Sequence, residues 1–134
     1  MNITLLAHDK KKELMVQFCT AYKSVLSKHE LSATATTGRL VAEATGLPIT
    51  LFLSHNQGGH QQVDARIAYN EIDLVLFFRD PITPETYEPD VSSLLKLCDM
   101  HNIPVATNLA TAEVLIRGLE RGDMDWRDIV NPKE

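Results

Sequence analysis

The run Ser54-His55-Asn56-Gln57-Gly58-Gly59-His60-Gln61-Gln62-Val63 sets two histidines around a glycine pair. An apolar strand-like run precedes it and a polar-capped helical pattern follows. Glycines at such a junction let backbone approach a ligand closely, and amides at a helix start can hold an anion. Imidazoles titrate near neutrality, so His55 and His60 place proton-transfer groups beside that anion. The combination points to chemistry on a small phosphorylated molecule. A metal site made of His8, His55 and His60 matches no common zinc spacing, and no metal or cofactor is expected.

Other segments carry groups suited to the same task. Thr34, Thr36, Thr37 and Gly38 offer hydroxyls and helix-start amides that suit a phosphate, although Thr36 or Thr37 could equally be a plain helix cap. Ser54 is open to the same two readings. Asp9 and Lys12 fall in the first turn of a helix directly after His8; capping and solvation explain them singly, a phosphate-facing lysine explains them together. Asp80-Pro81 follows the most apolar run, which puts a carboxylate at a strand end. Asp90 follows Pro89 and reads as an N-cap. His29 and His101 lie near helix ends and are given no role.

These groups need elements to bring them together. Ile3–Ala7, Ser32–Thr34, Ile49–Leu53, Ile72–Phe78 and Ile103–Thr107 read as strands. Between them run helical patterns: Leu14, Phe18, Tyr22 and Val25; Leu40, Val41 and Ala44; about 61–69; Val91, Leu94, Leu95 and Cys98; and Ala112, Leu115, Ile116 and Leu119. The tail from Gly122 has Met124, Trp126, Ile129 and Val130 as anchors and reads as a strand or short helix. The alternation predicts an α/β three-layer sandwich, with a mainly parallel, doubly wound sheet of about five strands, as one domain over 1–134. Ligands of such sheets bind beyond the carboxyl ends of the strands. The loops there are His8-Asp9, Thr34 to Gly38, Ser54 to His60, Asp80 onward and Thr107-Asn108.

Composition narrows the classes. A chain of 134 residues, 44% of them hydrophobic, can bury a real core. Its net charge of −5 argues against a nucleic-acid partner. Cys19 and Cys98 fall in amphipathic patterns without ligand spacing and are expected to be buried free thiols. The first apolar run stops at His8-Asp9, so no signal peptide is expected, and no run approaches the ~20 residues of a membrane span. A cytoplasmic protein is expected.

In order along the chain, Ala7-His8-Asp9 with Lys12, Thr34 through Gly38, Gly58-Gly59 with Gln61-Gln62, Asp80-Pro81, Glu88-Pro89-Asp90-Val91 and Ile103-Pro104-Val105-Ala106-Thr107-Asn108 resemble segments of the methylglyoxal synthase family. The resemblance runs from Ile3 to about Leu119. It implies conversion of dihydroxyacetone phosphate to methylglyoxal and phosphate, a bypass of glycolysis, by proton abstraction, an enediolate and phosphate elimination. It implies that His8, Lys12, Thr34, Thr36, Thr37 and Ser54 hold the phosphate, with Ala35, Gly38 and His55 in the same binding segments. Asp9, Asp80 and Asp90 would be supporting acids, and the assembly a homohexamer.

The chain departs from the family at defined positions. The family's base is an aspartate directly after the two glycines, where this chain has His60. A polarising histidine is expected two residues before Pro89, where it has Tyr87. His55 replaces a phosphate-contacting glycine, and Ala35 stands where glycine is usual. A neutral imidazole can still abstract a proton, and a phenol can donate a hydrogen bond to an enediolate. The substitutions imply weakened or altered catalysis by His60 and Tyr87. Two alternatives stay open: a non-catalytic phosphate-ligand sensor, as in the regulatory domain of carbamoyl phosphate synthetase, and a lyase or isomerase acting on another small phosphorylated keto compound.

Overall fold

The computed structural model describes residues 1–82, 91–130 and 132. Five strands form the sheet: β1 (Asn2–Ala7), β2 (Glu30–Thr34), β3 (Ile49–Phe52), β4 (Leu74–Phe78) and β5 (Val105–Ala106). The helices are α1 (Lys12–Ala21), α2 (Lys23–Leu26), α3 (Ala35–Thr45), α4 (Gly59–Ala68), α5 (Val91–Met100), α6 (Leu109–Arg121) and α7 (Trp126–Val130). The strand order is β3-β2-β1-β4-β5, and every pairing is parallel. The three-layer parallel α/β sheet expected from the sequence is therefore the fold.

Both faces of the central strands are covered, as their unbroken apolar runs require. Ile3 and Leu5 of β1 and Leu74, Leu76 and Phe78 of β4 pack with α1, α3 and α6 through Met15, Phe18, Val41, Ala112 and Ile116. Leu6, Val75 and Phe77 point to the other side, against Val63 and Ile67 of α4 and Leu94 and Cys98 of α5. The helices change sides where β3 crosses over to β4. That puts the topological switch between β1 and β4, where doubly wound sheets open a crevice for ligands.

Several boundaries differ from the sequence reading, each for a local reason. The strand expected over 103–107 contracts to Val105–Ala106, because Pro104 has no N–H and the amide of Ile103 returns to the Cys98 carbonyl at 2.9 Å. The strand expected from Ile72 begins at Leu74; the carboxylate of Asp73 is turned to the backbone of Asn2 and to Arg127. The strand expected to reach Leu53 ends at Phe52, and the Leu53 amide donates to Gln62 Oε1 at 2.7 Å instead. On α3 the inward residues are Thr37, Gly38, Val41 and Thr45, while Leu40 and Ala44 are exposed. The tail forms the short helix α7, but of its expected anchors only Met124, just before the helix, is buried; Trp126, Ile129 and Val130 are exposed, and the helix is anchored by the buried Arg127.

Cys19 and Cys98 are free and buried, and burial pushes each thiol up to about 12. Among the described residues, no helix is long and apolar enough to cross a membrane.

Candidate active site

Residues at the C-terminal ends of β1, β2 and β4 and the start of α4 line the switch crevice. The backbone N–H of His8 donates to the Phe78 carbonyl at 3.0 Å, which continues the β1–β4 ladder by one residue. The Asp80 N–H then donates to His8 Nδ1 at 2.7 Å. A backbone N–H can only donate, so Nδ1 is the acceptor and Nε2 the donor nitrogen of that imidazole. The Asp80 carboxylate accepts the Ile82 N–H at 3.0 Å and is buried just past the end of β4.

Asp9 opens a short 3₁₀ turn after His8. Lys12 is buried, not solvated: its Nζ donates to the Ala7 carbonyl at 3.1 Å and to Asp9 Oδ1 at 2.6 Å. The Asp9 side chain is 50% exposed, so the pair keeps contact with solvent. A buried ammonium held at a strand end by one carbonyl and one half-exposed carboxylate is suited to meeting an anion.

The cap of α3 is Thr34, whose side chain makes no capping hydrogen bond. Thr36 and Thr37 therefore lie inside the first turn and are not its caps. The amides of Ala35, Thr36 and Thr37 belong to the group that an α-helix leaves without an intrahelical partner, at the positive end of its dipole. Thr37 Oγ1 is buried with no hydrogen-bond partner among the described residues. Gly38 has a packing reason: a Cβ there would sit 2.3 Å from Leu51 Cδ2 and 3.2 Å from Ala33 Cβ. Its missing side chain lets α3 lie close against β2 and β3.

The glycine pair sits in a tightly packed junction. Ser54 to Gln57 forms a 3₁₀ turn, with the Ser54 hydroxyl between Asn56 Oδ1 at 2.7 Å and Gln57 Oε1 at 2.9 Å. The Gly59 N–H donates to the Ser54 carbonyl at 3.0 Å. Gly58 takes φ +103°, a conformation that L side chains rarely adopt. At Gly59 a Cβ would meet the Leu53 carbonyl oxygen at 2.1 Å and the Ser54 carbonyl oxygen at 3.0 Å. Both are backbone atoms in a packed junction. Gly59→Ala is expected to cost about 1–3 kcal/mol and to shift the start of α4; a fall in the urea midpoint, measured with activity, checks this.

Helix α4 starts at Gly59, two residues before the position read from the sequence, so His60 is in its first turn. His55 lies in the preceding 3₁₀ turn. The His60 ring packs at 6.0 Å from the ring of Phe77, and the His8 ring packs at 5.2 Å from the same ring. Tyr87 and Asp90 lie outside the described residues. Asn108 caps α6, accepting the Thr111 N–H at 3.1 Å. Among the described residues, no three histidine, cysteine or carboxylate side chains are grouped to hold a metal.

Two residues at the rim escaped the sequence reading. Phe77 read only as core, although it touches both imidazoles. Arg79 follows β4 directly, and its Nε is buried with no hydrogen-bond partner among the described residues. Strand alternation carries Arg79 to the same side as Phe77, a signal that was present in the sequence.

The fold is a parallel α/β domain with a helix start, a buried lysine and imidazoles at one edge of its sheet. The chain matches the MGS-like domain family over residues 14–107, and it belongs to that family. It is 65% identical, over 99% of its own length and 94% of the relative's, to a methylglyoxal synthase of Caldicellulosiruptor saccharolyticus. It is 55% identical over its full length, and 96% of the relative's, to a methylglyoxal synthase of Geobacillus sp.. The crystal structure of methylglyoxal synthase from Elizabethkingia anophelis superposes with a TM-score of 0.82 at 38% identity, covering 86% of this chain and 76% of that one.

Proposed function

We propose that this protein is a methylglyoxal synthase, a carbon–oxygen lyase that converts dihydroxyacetone phosphate to methylglyoxal and inorganic phosphate. The observation that supports it most is the juxtaposition at the switch point. The start of α3, the Lys12 ammonium and the His8 imidazole favour a phosphate, while His60 and Asp80 are the groups proposed to face the three-carbon skeleton. His60 removes a proton from the hydroxymethyl carbon, giving an enediolate. The enediolate expels phosphate from the far carbon, and the resulting enol collapses to methylglyoxal. Thr34, Thr36, Thr37 and Ser54 belong to the phosphate-binding segments, Asp9 holds Lys12, and Tyr87 and Asp90 complete the acid groups.

The test is a coupled assay of the purified protein with dihydroxyacetone phosphate, reading methylglyoxal and phosphate in equal amounts. Phosphate binding without any methylglyoxal would overturn this reading. Lys12→Ala should weaken inorganic phosphate binding by about 10–100-fold, the worth of one hydrogen bond to a charged group; calorimetry checks it, and unchanged affinity would remove Lys12 from the site. The same reading supports a homohexamer working in the cytoplasm as a bypass of glycolysis, and light scattering on the purified protein measures the assembly.

A further inference from the structure

Phe77 is 1% exposed and sits one residue from the end of β4. Its register partner on β1 is Leu6, two residues before His8, so the two strands fix where its ring stands relative to the switch crevice. The ring lies on the α4 and α5 side of the sheet, packed with Leu6, Val63 and Ile67. It meets the His8 imidazole edge-on, with centroids 5.2 Å apart and planes at 90°. It meets the His60 imidazole at 6.0 Å and 45°. Both separations lie within the range of specific aromatic contact. The two histidines come from different elements, β1's end and α4's first turn, and one benzene ring is their common neighbour.

An imidazole on a flexible Cβ needs an external surface to hold its ring in a reactive orientation. The Asp80 N–H holds His8 from one side. We propose that Phe77 is a positioning residue for both histidines, setting the separation and tilt of the His8 and His60 imidazoles. This rests on the catalytic reading of His60 given above. Removing the ring should misalign the His60 base far more than it loosens the phosphate, since α3 and Lys12 hold the phosphate alongside His8 and do not depend on the ring.

The test compares Phe77→Leu with Phe77→Tyr, which retains the ring. Phe77→Leu should lower kcat about 10–100-fold while KM and phosphate affinity stay within about twofold. The imidazole proton resonances of both His8 and His60 should move together as the ring current is lost. Phe77→Tyr should recover most of kcat and both resonance positions. Wild-type kcat in Phe77→Leu, or movement of only one imidazole, would overturn the proposal. Should Phe77→Leu fail to fold, nuclear Overhauser contacts in wild type decide: contacts from the Phe77 ring to both imidazoles support it, and their absence overturns it. A wild-type protein with no turnover but both sets of contacts would instead overturn the lyase reading.

Discussion

His60→Asp combined with Tyr87→His raises kcat for dihydroxyacetone phosphate by about 10²–10⁴-fold, while KM and phosphate affinity change far less. Each of the two positions acts on the enediolate-like transition state, and a placed acid or base contributes about 10²–10⁴-fold. The single substitutions should gain less than their combined effect implies, because base and electrophile act as a unit. Steady-state kinetics on the four proteins checks this. If wild type already turns over rapidly and His60→Asp slows it, His60 is an adapted base, set by its place in the first turn of α4 and against Phe77.

Asp73→Ala should cost about 3–5 kcal/mol of folding stability, the range for removing one partner of a buried ion pair. Asp73 and Arg127 are each 1% exposed and approach at 3.4 Å. The guanidinium also donates to the carbonyls of His101 and Asn102, and Nη2 has no partner among the described residues. The same carboxylate accepts the Asn2 N–H at 2.9 Å. Its removal therefore strands a charge and an amide together. A lower urea midpoint with an unchanged slope is expected; replacing both partners, Asp73→Leu with Arg127→Met, should recover most of the loss.

The sheet was legible because β1 and β4 are unbroken apolar runs bounded by polar residues, and because helical spacing separates the strands. The site was legible as a set of rim segments, since parallel topology sends His8, Thr34, Ser54 and Asp80 to one edge. What the sequence could not supply was tertiary. Lys12 could be read as solvated or as phosphate-facing, and only Ala7 and Asp9 around it show that its ammonium is buried. Gly59 reads as a place of close backbone approach, and only the fold shows that the backbone it approaches includes the Leu53 carbonyl. Phe77 carries no polar atom, so only its two neighbours reveal it. Arg127 lies in a weakly patterned tail, and its partner is fifty-four positions earlier in the chain.

The hydrogen bond from Asp80 to His8 Nδ1 spans 72 positions of sequence. During folding, β1, β2 and β3 can associate through short crossovers, which brings Lys12 to the start of α3 early. The chain has to return from β3 past β2 and β1 for β4 to pair with the free edge of β1, a non-local and slow contact to form. The anion-holding wall is thus assembled from local pairings, while the wall that carries Asp80 and Phe77 waits for the non-local step. Phosphate present during refolding would act on the half that forms first, and the reacting half would be completed last.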